Sequence, residues 1–60
     1  GKLHEIKLLL PYSEAGVLEI LHKQAQVLST EYTAQGVEVV TLCSSELAGR
    51  YRRFAVEEGQ

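Results

Sequence analysis

The spacing of apolar residues changes three times along this chain, and each change restricts the backbone that can carry it. Between residues 3 and 10, Ile6, Leu8 and Leu10 fall on one side of an extended backbone and Glu5 and Lys7 on the other, the period of a half-buried strand. Pro11 ends that strand. The Ser13 hydroxyl is placed to cap a helix, worth about 1 kcal/mol, with Glu14 near the positive end of the helix dipole. Val17, Leu18, Ile20, Leu21 and Ala25 then recur at helical spacing, while Glu19, Lys23 and Gln24 lie away from them, which predicts a three-turn amphipathic helix. Val27 to Thr33, containing Val, Thr and Tyr, has the composition of a second strand. A polar Thr33-Ala34-Gln35-Gly36 turn leads into the β-branched run Val37-Glu38-Val39-Val40-Thr41, a hairpin with Gly36 at its tip. Ser44 and Ser45 can each cap a second helix, with Glu46 in its first turn, Leu47, Tyr51 and Phe54 at i, i+4 and i+7, and Gly59 beyond its end.

The element order is therefore β-α-β-β-α, an α+β module. A β-α-β crossover makes the first two strands parallel. With the third strand inserted between them, antiparallel to both, the result is a ferredoxin-like module lacking its fourth strand. The predicted sheet is three-stranded, in the order 1-3-2, with both helices on one face.

Sixty residues allow one domain, spanning 1–60, with one core. A chain of this size buries only about 60% of the surface its unfolded form exposes, so its stability is expected to be modest. Hydrophobic residues make up 45% and charged residues 23%, the balance of a globular domain rather than of a disordered tail. The chain begins at Gly1 and has no methionine, as expected of a C-terminal fragment excised from a longer polypeptide. A formal charge of −2 argues against a domain built around phosphate neutralisation. Cys43 is the only cysteine, which excludes an intramolecular disulfide and fits a reducing, cytoplasmic or organellar setting. No apolar run approaches the roughly 20 residues of a membrane span, so no membrane partner is expected.

The chemistry-bearing residues are sparse. Phosphate-binding loops need closely spaced glycines followed by Lys and Ser or Thr, and Gly16, Gly36, Gly49 and Gly59 are isolated. His4, His22 and Cys43 do not make a zinc ligand set. No catalytic residue, cofactor site or metal site is therefore expected. Arg50, Arg52 and Arg53 form the only basic cluster, interleaved with Tyr51 and Phe54. If the aromatic rings face the core, the arginines project outward, either as a contact to phosphate or carboxylate or as a solvated helix face favoured by the dipole. Leu9, Val40 and Leu42, with Leu3 beside them, fall on the sheet face opposite the helices, where polar residues are usual, and so mark a candidate docking face. Tyr12 and Tyr32 read as packing residues rather than base-stacking platforms.

Leu10-Pro11-Tyr12-Ser13, the pair Ile20-Leu21 followed by His22, and Val27-Leu28 resemble, in order and spacing, the C-terminal domain of HflX-type ribosome-associated GTPases. Glu31-Tyr32-Thr33, Gly36-Val37 and Glu46-Leu47-Ala48-Gly49-Arg50 extend the resemblance over nearly the whole chain. The chain departs from the family in two places: Ala25 stands near a usual glycine, and Val40 and Leu42 stand where arginine is more typical. The resemblance implies a multidomain GTPase that binds the large ribosomal subunit and separates ribosomal subunits, with GTP and magnesium held by an upstream domain. The present module would be noncatalytic, positioning that GTPase against the ribosome or against its own GTPase domain, or self-associating through the sheet face. The alternative is a regulatory ferredoxin-like module that binds a small ligand in a metabolic protein.

Overall fold

The computed structural model describes residues 2–56. Strands β1 (His4–Leu10), β2 (Gln26–Tyr32) and β3 (Val37–Cys43) and helices α1 (Gly16–Gln24) and α2 (Ser45–Arg50) follow in the order β1-α1-β2-β3-α2. Single 3-10 turns occupy Tyr12–Glu14 and Arg52–Phe54. β3 pairs antiparallel with both neighbours, so the sheet order is β1-β3-β2 and the outer strands are parallel to each other, as the sequence predicts.

Strand alternation decides which residues meet. The β1–β3 register sets Ile6 against Thr41, Leu8 against Val39 and Leu10 against Val37. One face of the sheet therefore carries a continuous apolar surface. Val17 and Leu21 of α1, Leu47 of α2 and Tyr51 just after it close over that face, and with Leu8, Leu10, Val37, Val39 and Cys43 they form the core. Each large side chain removed from water contributes about 1.5–3 kcal/mol. Thr41 is buried among them without penalty because its hydroxyl donates to the Gln26 carbonyl at 2.8 Å.

The first helix departs from its predicted start. Ser13 lies inside the 3-10 turn, and α1 begins at Gly16 behind Ala15, with no side-chain cap. The reason is that Pro11 starts a tight turn: the Glu14 N–H donates to the Pro11 carbonyl at 2.7 Å and the Ala15 N–H to Tyr12 at 3.3 Å. Backbone acceptors thus take the donors that a capping hydroxyl would otherwise satisfy. The helix is nine residues long, shorter than the three turns expected to reach from Ser13 to Ala25. At its far end Ala25 turns directly to extended backbone, φ −143° and ψ −178°, so no left-handed residue is needed where the resembled family has glycine.

The second helix is capped as predicted by Ser44, whose hydroxyl accepts the Leu47 N–H at 3.3 Å. Ser45, the other cap candidate, is already helical and its hydroxyl shares a 2.9 Å hydrogen bond with His4 Nε2. Ser44→Ala is expected to lower stability by about 1 kcal/mol. Ser45→Ala should lose less, since its bond to His4 is exposed; urea titration of both variants compares them. α2 gives way to a 3-10 turn before Phe54, which is half-buried. Gly59, expected beyond this helix, lies outside the described residues.

Two features were not foreseen. β2 carries a bulge at Leu28: Val27 opposes Thr41 and Ser29 opposes Val40, leaving Leu28 unpaired and 44% exposed. On the outer edge of β1, Ala55 bridges Leu8 antiparallel and the Val56 N–H donates to the Lys7 carbonyl at 2.8 Å. Pairing thus begins where a ferredoxin-like fold would place its fourth strand. No helix of the described residues is long and apolar enough to cross a membrane.

Candidate functional site

The helices cover one face of the sheet and leave the other open. Glu5, Lys7 and Leu9 of β1 project there, opposite Leu42, Val40 and Glu38 of β3. Gln26, Ser29 and Glu31 of β2 complete the surface, paired with Leu42, Val40 and Glu38 in turn. Leu9, Val40 and Leu42 thus share the face assigned to them from sequence, and each is half-buried, with Val56 beside Val40 at the β1 edge. Leu3 precedes β1 and is 61% exposed.

The charges on this face are uneven. Lys7 Nζ lies 3.5 Å from Glu38 Oε1, a partly shielded pair. Glu31 stands directly opposite Glu38 across the β2–β3 ladder, and directly opposed like charges destabilise a strand pair by a few tenths of a kcal/mol to about 1 kcal/mol. Three carboxylates and one ammonium therefore surround the apolar residues. The Glu31–Glu38 juxtaposition was missed from sequence although the hairpin contains the signal. Counting outward from the turn pairs Thr33 with Gly36, Tyr32 with Val37 and Glu31 with Glu38.

The turn itself is tightly bonded. The Thr33 N–H and hydroxyl both donate to the Gly36 carbonyl at 2.8 Å, and the Gly36 N–H donates back to the Thr33 hydroxyl at 3.2 Å. The Tyr12 hydroxyl donates to the Thr33 carbonyl at 2.5 Å, tying the end of β1 to the hairpin. Tyr12 therefore has the hydrogen-bonded hydroxyl expected of it, although its ring is 51% exposed rather than packed away. Tyr32 is not packed away either: it is 68% exposed at the end of the outer strand.

Arg50 ends α2, and Arg52 and Arg53 lie in the 3-10 turn that follows it. All three are exposed. Arg50 pairs with Glu46 at 3.6 Å, one helical turn back, and its guanidinium lies 5.9 Å from the centre of the Tyr51 ring. Arg53 stacks more closely over Phe54, at 4.5 Å, while Tyr51 and Phe54 lie 6.4 Å apart. Aromatic contacts thus hold two of the three guanidinium groups; Arg50 also engages Glu46, while the contact of Arg53 with the ring face leaves its N–H groups able to donate to phosphate or carboxylate oxygens.

Other reactive groups are dispersed. Cys43 is buried, and burial pushes its thiol pKa up, so the nucleophilic thiolate is disfavoured. His4 meets Ser45 but no carboxylate joins them, and among the described residues no three His, Cys, Asp or Glu side chains are placed to hold a metal ion. A hollow of about 300 Å³ runs beside β1, lined by Glu5, Ile6, Lys7, Val40, Ala55 and Val56. In comparisons with known proteins, no family model matches the chain and no curated protein matches it.

Proposed function

We propose that this chain is a noncatalytic interaction domain and, on the resemblance described above, that it belongs to an HflX-type GTPase acting on the large ribosomal subunit. The GTPase chemistry, with its GTP and magnesium, lies in an upstream domain of the parent, in a cytoplasmic or organellar setting. The observation that carries the interaction reading is the uncovered sheet face, where Leu9, Val40 and Leu42 lie together on adjacent strands. Half-buried sheets normally turn polar residues to water, and contiguous apolar surface on a small domain marks a contact. The exposed Arg50, Arg52 and Arg53 supply a second, chemically different surface suited to ribosomal RNA. Together they allow the module to hold one partner by its sheet and another by its arginines.

Co-sedimentation of the full parent polypeptide with large ribosomal subunits tests this. Val40→Asp with Leu42→Asp is expected to weaken binding or subunit separation at least about tenfold, equivalent to about 1.4 kcal/mol. A dispersed amide spectrum of the same variant would show that the domain remains folded. Deleting residues 2–56 without any change in binding or subunit separation would remove the proposal.

A further inference from the structure

We infer that the open sheet face is the seat of a single amphipathic helix whose apolar stripe is flanked by arginine or lysine. The inference rests on the reading of this face as a docking surface and adds the chemistry of what docks.

Size comes first. The three strands, spaced about 4.8 Å apart, set the outer two about 10 Å apart, so one helix of 10–12 Å diameter covers β1, β3 and β2, bounded on the β1 side by the Ala55–Val56 pairing. The opposite face of the same sheet is already covered by helices, so a helix here would complete a three-layer arrangement.

Charge narrows the occupant further. Glu5, Glu31 and Glu38 surround Val40, Leu42 and Leu9, and Lys7 is the only basic residue among the paired positions on this face. Lys7 reaches Glu38, whereas Glu31, directly across from Glu38, has no cation within ion-pairing reach among the described residues. A basic side chain arriving from a partner would lie between two carboxylates and relieve their repulsion. A phosphate backbone would meet carboxylates instead. A second copy docked by the same face would set three carboxylates against three, since a twofold contact pairs a surface with itself.

The test is an amide-shift titration of the 60-residue chain with two synthetic helical peptides. They share one Leu/Val stripe and differ only in flanking it with arginine or with glutamate. The arginine peptide is expected to shift the amides of Leu9, Glu31, Glu38, Val40 and Leu42 and to bind about tenfold tighter than the glutamate peptide. Glu31→Gln should remove much of that advantage while leaving the melting temperature unchanged or higher, because it also removes a like-charge contact; a merely structural Glu31 would lower the melting temperature instead. Equal binding of both peptides would overturn the inference. So would binding by neither, shifts confined to other surfaces, concentration-dependent self-association through Val40 and Leu42, or displacement of the arginine peptide from the sheet by an RNA oligonucleotide. Any of these, found alongside a parent polypeptide that still loses ribosome binding on Val40→Asp with Leu42→Asp, would remove the basic helix and leave the interaction reading in place.

Discussion

Gly36→Ala is expected to destabilise the domain by about 2–4 kcal/mol, enough to unfold much of a small, modestly stable chain. Gly36 has φ +154°, a conformation that residues with a side chain seldom adopt. Space is the larger difficulty. A methyl group at Gly36 would run into the Leu10 carbonyl oxygen and approach the Pro11 Cα at 3.1 Å. These are backbone atoms at the end of β1, and they cannot move without disturbing the Leu10–Val37 pairing and the Tyr12–Thr33 hydrogen bond. Either relief therefore breaks something else. Gly16 offers the control, since nothing stands within 4 Å of the position its methyl would take; Gly16→Ala should be neutral or stabilising by a few tenths of a kcal/mol to about 1 kcal/mol. Thermal melts of the two alanine variants should separate clearly. Similar melting temperatures would mean that the β1 end yields to the added methyl.

Leu8→Ala should cost about 2–5 kcal/mol. Leu8 is fully buried, paired with Val39 on the central strand and bridged on its other side by Ala55. Truncation would leave a cavity between the sheet and the helices packed on it, and the hydrogen-bonded strands limit how far its walls can close. The loss should appear in urea denaturation as a lower midpoint at nearly unchanged slope. Leu9→Ala, one residue away but on the open face, should cost much less, and that contrast checks the assignment of faces as well as the core. A cost for Leu9 equal to that for Leu8 would place both side chains in the core.

Much of this architecture was readable from residue spacing. Ile6, Leu8 and Leu10 alternate with Glu5, Lys7 and Leu9, and only one phase of a strand can bury the first set. The same reasoning assigned Leu9, Val40 and Leu42 to the face away from the helices. Gly36 marked the hairpin tip because few other residues suit such a turn. Ser44 identified the start of α2 because nothing competes for its Leu47 donor. At Ser13 the same local rule failed: the backbone after Pro11 folds into a 3-10 turn and supplies acceptors of its own.

The remainder depended on neighbours distant in sequence. The bulge at Leu28 belongs to the pairing of β2 with β3, which no local pattern in Val27-Leu28-Ser29 encodes. Tyr32 is 68% exposed at the end of the outer strand, a matter of where the helices pack rather than of tyrosine's own preference. The bridge between Ala55 and Leu8 arises only once the turn at Arg52–Phe54 has brought the chain back to β1. Periodicity and turn chemistry act over a few residues, so they settled the elements, the buried phase of each strand and the hairpin. Edge coverage, strand irregularity and the close approach of Gly36 to Leu10 are properties of segments packed together, and only the assembled sheet and helices decide them.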